Sequence, residues 1–535
     1  MRLKWAFRPA STTFPEEWAM TSFESIHQEE ILGSLTMFDR MIFKGHLTGL
    51  FPRGAFARFL SVQGVLLKDF GPFVEGATGQ IQMHLRSMAA EERRPFQYLE
   101  SGSKEEEARR IAERDGVKEG LVCILRALEP CWSFEVRGNR QTQKLEVVRR
   151  ERKCLHYYLY YIDPEFGWMH VRLQSWFPFT IQIYINGREW LSRQLETLGI
   201  PYSRYDNSLL QIADLAMAQS LCRKFEHRCF ARVWDHFARR VNPWLRTIQQ
   251  LGFGSYYWVV DQCEIATDTM FRDRETLAAL MPDLLRQASL YFSAEDVLRF
   301  LGRKLHGNFQ GEVLTDRKKR AEGVRIKHSV KRNSVKMYDK WSVLRVETTI
   351  NNPREFKVLR ASKTASGEIS RRWVPMGKGV ANLWRYAQVG KQANARYLEG
   401  LAQAENKGKV VAELDELCQS RTVNGKRFAR FQPVGIGEAR VFQAVMDGQH
   451  LLNGFRNQDL AHLLEPLSEA TDEQKRRRCA RISRLIAKLR GHGLIAKVPG
   501  SRLYRTTQRG YRTMAAVLRF RGIEFPTVYR QALPA

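Results

Sequence analysis

Three runs of apolar–polar alternation follow one another between residues 324 and 350. Val324–Val330, Ser334–Asp339 and Val343–Ile350 place most of their apolar side chains at every second position. Successive side chains of a strand point to opposite faces, so the pattern predicts three strands. Lys331-Arg332-Asn333 and Lys340-Trp341-Ser342 predict the turns between them. One face collects Val324, Ile326, Val330, Val335, Met337, Leu344, Val346 and Ile350. The other collects Arg325, Lys327, Lys336, Tyr338, Arg345 and Glu347. An antiparallel sheet of this kind buries its apolar face and offers a basic face that carries one Tyr and one Glu.

A second patterned block spans residues 120–200. Leu121–Leu128, Ser133–Val136, Cys154–Ile162 and Trp168–Trp176 predict strands, with a turn at Asp163-Pro164-Glu165-Phe166-Gly167. Phe179, Ile181, Ile183 and Ile185 then alternate with Thr180, Gln182 and Tyr184, up to Asn186-Gly187. Arg188–Leu198 predicts an amphipathic helix closed by Gly199. The polar face of this block holds His170, Arg172, Gln174 and Tyr184. Further along, Ser255–Val260 predicts a short strand and Asp261–Phe271 the start of a helix. On that helix Glu264 and Asp268, four apart, would share a face. Residues 1 to about 90 predict mixed short helices and strands without a motif.

The chain of 535 residues exceeds one ordinary core. The expected architecture is a multidomain α+β protein: a central antiparallel β platform with flanking helices, and a C-terminal winged helix. The expected divisions are 1–118, an N-terminal mixed region; 119–353, the core; 354–437, a basic helical region and linker; and 438–535. No apolar run reaches the length of a membrane span and no signal peptide core is evident, so a soluble, cytoplasmic protein without a membrane partner is expected. Eight cysteines are scattered without a CxxC pair, which argues against zinc and disulfide frameworks.

Charge changes the picture most. Lys and Arg outnumber Asp and Glu by 86 to 57, a net +29. Between Asp316 and Gly390 the count is 19 to 6. Such an excess attracts polyanions, so the expected partner is nucleic acid: DNA, with RNA as the alternative.

Two local resemblances sharpen this. Lys336-Met337-Tyr338-Asp339-Lys340, followed by Leu344-Arg345-Val346-Glu347, resembles a segment of rolling-circle replication initiators of plasmids and filamentous phages. That resemblance implies a tyrosine that attacks a DNA phosphate to leave a 5′-phosphotyrosyl link, with Mg²⁺ or Mn²⁺ held by acidic or histidine residues. Tyr338 and Glu347 then become candidate catalytic residues, with Glu347 and His170 as candidate metal ligands, His170 only if the two β blocks share a sheet. The paired histidine strand of better-known relatives is missing. Arg325, Lys327, Lys336, Arg345, Arg172 and Tyr184 are candidate nucleic-acid contacts.

In the C-terminal hundred residues, Arg440–Met446, Asn457–Leu464 and Asp472–His492 predict helices, and 493–507 a strand–turn–strand. Three helices closed by a hairpin resemble a winged-helix domain. The family resemblance implies that Arg476, Arg477, Arg478, Arg481 and Arg484 of the third helix enter a major groove, with Arg502 on the wing. The preferred function is a DNA-binding protein of replication or mobile-element type with metal-dependent strand nicking. The alternatives are a non-catalytic RNA- or single-strand-binding ribonucleoprotein component and a winged-helix transcriptional regulator.

Overall fold

A computed structural model describes residues 21–100, 102–303, 311–320, 323–363, 369–402, 414–448, 450, 454–466 and 471–526. It is an α+β protein built on one large mixed sheet. The strands in chain order are β1 (Ile31–Leu47), β2 (Phe96–Tyr98), β3 (Gly120–Asn139), β4 (Lys144–Asp163), β5 (Gly167–Gln174), β6 (Ile181–Asn186), a small separate hairpin β7 (Tyr202–Tyr205) and β8 (Ser208–Ile212), β9 (Tyr256–Phe271), β10 (Leu314–Lys319), β11 (Val324–Val330), β12 (Asn333–Lys340) and β13 (Val343–Ile350). Eleven of them form the sheet, in the order β10-β11-β12-β13-β9-β1-β6-β5-β4-β3-β2. Only the short β2 pairs in parallel.

The three strands expected between 324 and 350 are present. The turns are tighter than predicted: Lys331 and Arg332, with φ of 46° and 74°, close the first in two residues, and Trp341 takes a positive φ in the second. Two consecutive positive φ values give the twist that suits a two-residue hairpin. The apolar face of this hairpin set packs, through Ile326, Val335, Met337, Leu344 and Val346, against the helices Arg274–Arg286 and Leu383–Leu401.

One expectation is corrected. Asp261–Phe271 is not the start of a helix. It continues β9, which pairs with β1 on one side and β13 on the other. Ile265, Thr267 and Thr269 are β-branched and favour the pleated, packed setting between two long strands. The N-terminal stretch, expected as a mixed region without a motif, supplies the 17-residue β1 to the middle of the sheet. There it joins the two predicted β blocks into one surface.

Helices cover both sheet faces. Phe70–Glu91, Leu215–Glu226 and Phe230–Val241 bury one face over Phe43, Ile183, Val171 and Leu159. Lys104–Arg114 covers the other over Tyr158, Tyr160 and Trp168. The C-terminal helices Ile436–Val445, Asn457–Leu464 and Asp472–Gly491, the strands Ile495–Lys497 and Tyr504–Thr506, and the helix Gln508–Arg519 enclose a core of their own, around Phe442, Leu460, Ile482, Ile486 and Met514. All eight cysteines are free thiols, and Cys123, Cys154, Cys222 and Cys263 are buried. Among the described residues no helix is long and apolar enough to cross a membrane.

Beneath β11, His328 is fully buried between Thr315 Oγ1 at 2.9 Å and Tyr397 Oη at 3.1 Å. Burial pushes its imidazole down to about 4. The unfolded chain protonates this ring near 6.5, the native chain only near 4, so stability is lost as pH falls through that window. His328→Gln is expected to flatten the acid limb of the stability–pH curve, by up to about 3 kcal/mol between pH 7 and pH 4. Urea melts at a series of pH values would show an unchanged slope if the ring is not responsible.

Candidate active site

The polar face of β12 and β13 continues across β9 to β1. Register aligns Lys336 with Glu347 and Tyr338 with Arg345 between β12 and β13. It aligns Arg345 with Asp268 and Thr349 with Glu264 between β13 and β9. Between Phe38 and Met41 of β1 the pairing with β9 shifts, so that Asp39 and Arg40 together oppose Glu264. This bulge re-aims the strand where it passes the carboxylates.

Arg345 organises the cluster from beneath. It is 1% exposed. Its Nε and Nη2 donate to the two carboxylate oxygens of Asp268 at 2.6 and 2.8 Å, a bidentate fork. Its Nη1 reaches Asp39 Oδ2 at 3.1 Å, and Nη2 also donates to the Asn207 carbonyl at 2.6 Å. Asn207, in the β7–β8 turn, donates its side-chain amide to Asp39 Oδ1 at 2.6 Å and accepts from Asn186 at 2.7 Å. Arg188 adds a second cation, 3.1 Å from Asp268 Oδ2. Gly187 lets its helix start this close to β1, because a Cβ there would stand 2.2 Å from the Phe38 carbonyl oxygen. Asn186 caps the same helix by accepting from the Arg188 amide.

Above this layer, Asp39, Glu264 and Glu347 bring one oxygen each within 4.8 Å of one another. All three are buried. The Tyr338 hydroxyl donates to Glu347 Oε2 at 2.7 Å. The Lys336 ammonium bridges Glu347 Oε1 and Glu264 Oε1, the latter at 3.4 Å. Burial, and then the Glu347 charge, push the Glu264 carboxyl up to about 7. Burial also opposes ionisation of Glu347, but Lys336, the Tyr338 hydrogen bond and Arg345 outweigh it and hold Glu347 below its ordinary value. Burial and the adjacent Glu347 hold the Tyr338 phenol well above its ordinary value. Arg40 is exposed on this face; partial desolvation of its guanidinium is outweighed by Asp39, Tyr184, Glu264 and Glu347, which hold it in the charged form.

The hairpin thus brings Lys336, Tyr338, Arg345 and Glu347 together as strand parity predicts. Arg345 differs in setting from the other three. Buried on two carboxylates, it holds the cluster in place instead of reaching outward to a phosphate. Lys327 is half-buried beside Lys336 on the same face, and Arg325 lies 3.7 Å from Asp316.

His170 does share the sheet, but β5 lies four strands from β13, about 19 Å at the usual strand spacing. It stacks on Tyr184, ring centroids 5.1 Å apart, and burial pushes it down to about 4. It is therefore no ligand of the carboxylate cluster. Arg172 is paired with Glu129 at 2.7 Å. In the C-terminal helix, Arg476, Arg477, Arg481 and Arg484 are exposed, Arg478 donates to the Glu465 carbonyl, and Arg502 is exposed in the turn between the last two strands.

Sequence reasoning missed Asp39 and Arg40 and read Glu264 on a helix. One signal was available: the adjacent charges Asp39-Arg40 interrupt an otherwise apolar run, Met37-Phe38-Asp39-Arg40-Met41-Ile42-Phe43. Comparison of the chain with protein-family models, with curated proteins and with solved structures finds no match. The site is therefore argued from its geometry.

Removing one partner of a buried ion-paired set leaves the other charges uncompensated. Arg345→Ala is expected to destabilise the fold by about 3–5 kcal/mol. Arg345→Lys keeps the charge without the fork and should fall between wild type and Ala. Denaturant titrations of the three proteins test this ordering; equal stability of Ala and wild type would remove Arg345 as the organiser.

Proposed function

We propose that the protein is a nucleic-acid-binding enzyme that nicks a DNA strand with Tyr338 as nucleophile, in a replication or mobile-element process. One observation carries the reading: a tyrosine hydroxyl hydrogen-bonded to a buried carboxylate that itself belongs to a three-carboxylate cluster. Asp39, Glu264 and Glu347 offer hard oxygen ligands of the kind that suit Mg²⁺ or Mn²⁺. A divalent cation held there would offset charge on the phosphoryl oxygens.

The chain's own residues supply the rest. Glu347 accepts the phenolic proton of Tyr338. The tyrosyl oxygen forms a bond to phosphorus, the bond from phosphorus to the 3′ oxygen breaks, and the 3′ oxygen leaves as a hydroxyl with the proton that Glu347 accepted. The product is a 5′-phosphotyrosyl link, whose phosphate Lys336 and Arg40 are placed to neutralise. Asp39, Glu264 and Glu347 would hold the cation, and Lys336, which now bridges Glu264 and Glu347, would then be free to pair with the phosphate. The winged-helix resemblance belongs to the same reading: the helix Asp472–Gly491 presents a row of exposed arginines suited to duplex backbone and groove.

Tyr338→Phe removes only the hydroxyl. It should bind single-stranded DNA as wild type does, yet give no Mn²⁺-dependent nick and no denaturation-resistant protein–DNA adduct. Glu347→Gln should lose the same activity. Labelled single-stranded and supercoiled DNA incubated with Mn²⁺ provide the assay. Absence of nick and adduct in wild type on varied sequences would sink the nuclease and leave non-catalytic single-strand or RNA binding, the ribonucleoprotein reading, in its place.

Because Glu264 must give up its proton to hold a cation, Mn²⁺ affinity is expected to rise as pH is raised through about 7. Titration calorimetry at pH 6 and pH 8 checks the sign, and Glu264→Gln should remove the dependence.

Arg476→Ala combined with Arg484→Ala should weaken duplex binding and lower the salt slope by roughly two units, with single-strand binding little changed. Equal losses on both substrates would argue against duplex reading by this helix.

A further inference from the structure

Beside the carboxylate cluster, on the same sheet face, lies a pocket of about 420 Å³. Glu264 belongs to both. Lys327, Arg332 and Lys336 bring three cations to its lining against the single carboxylate of Glu264. The remaining lining is hydroxyl and amide groups, among them Ser329, Ser334 and Thr349, and no apolar side chain takes part. Such a wall offers nothing for a base to stack on and much for an anion to bond with.

Two of its groups lack partners among the described residues. Thr349 belongs to the lining and is 6% exposed, and its hydroxyl makes no hydrogen bond among the described residues. A buried hydroxyl left unpaired in this way has a hydrogen bond to offer a ligand or water. Arg332 stands at the two-residue β11–β12 turn with its guanidinium exposed and in no ion pair among the described residues. Lys327 sits opposite Lys336 across the β11–β12 ladder, so two ammonium groups face the same space. Ser334 lies two residues from Lys336 along β12, about 7 Å, and Tyr338 the same distance the other way. The pocket and the tyrosine therefore flank Lys336.

We infer that this pocket is a second phosphate site, which holds the phosphodiester one nucleotide away from the one presented to Tyr338. The substrate strand then runs along β12, with its charge neutralised at two successive phosphates and its bases directed away from the sheet. The assignment rests on the nicking reading for what occupies the neighbouring position, but not for the anion affinity of the pocket itself.

Thymidine 3′,5′-bisphosphate is the probe, compared with thymidine 5′-monophosphate by calorimetry on the full chain, with Mn²⁺ and again with EDTA. The bisphosphate should bind roughly tenfold tighter or better than the monophosphate, the worth of one charge-assisted contact set. Lys327→Ala combined with Arg332→Ala should abolish that advantage, and Thr349→Val, which keeps shape and loses the hydroxyl, should reduce it severalfold. Thermal melting of each variant confirms folding, which the partly exposed positions of Lys327 and Arg332 favour. No bisphosphate advantage in wild type, or an advantage that both variants keep, would overturn the second site. The EDTA arm separates the two readings: affinity that depends on Mn²⁺ reports the carboxylate cluster. Affinity that survives EDTA and vanishes in the double variant reports the pocket, even if no nicking is ever observed.

Discussion

A single guanidinium, that of Arg345, ties the centre of this sheet together. It binds Asp268 of β9 through a two-point fork, Asp39 of β1 through a third nitrogen, and the carbonyl of Asn207 in the β7–β8 turn. Those groups come from three separate stretches of chain. Each carboxylate would be costly to bury alone, and each becomes tolerable only with the shared cation in place. The planar fork of Arg also fixes directions, which an ammonium could not do. Asp39 consequently points one oxygen at Arg345 and stands within reach of Glu264 and Glu347.

The second layer inherits its character from the first. Four carboxylates, Asp39, Glu264, Asp268 and Glu347, face four cations, Arg40, Arg188, Lys336 and Arg345. The two fully buried arginines serve the lower carboxylates. Lys336 and Arg40, nearer to solvent, serve the upper ones. The charges match in number yet act unevenly: burial and the Glu347 charge push the Glu264 carboxyl up to about 7, while Lys336, the Tyr338 hydrogen bond and Arg345 hold Glu347 below its ordinary value. Two acids of the same chemistry thus differ in acidity through their surroundings alone.

The wider face gives this centre its setting. Across β1 and β6 the polar row continues from Arg40 to Tyr184 and His170, where it becomes aromatic and closed by stacking. In the other direction, toward the β11–β12 turn, it becomes open and basic. The net charge of +29 gives the molecule as a whole a positive field.

What the sequence by itself determined was local. Period-two alternation over 324–350 was enough to place Lys336, Tyr338, Arg345 and Glu347 on one face, because a hairpin's facing residues follow from parity and turn length alone. The sequence also indicated strands and a capped helix in 154–198, through Asn186-Gly187 and the turn at 163–167. Glu264 and Asp268 illustrate the limit: residues four apart share a face in a helix and in a strand, so spacing could not choose between them, and pairing with β1 and β13 did. Asp39 lies some three hundred residues from Glu347, and only the insertion of β1 at the sheet's centre, with a bulge that no short-range pattern announces, brings the two together. His170 has the right chemistry and the right sheet, but strand order sets it four strands away. Strand order and long-range register are tertiary properties, decided by which faces can be buried together, and it is they that made a site out of a basic face.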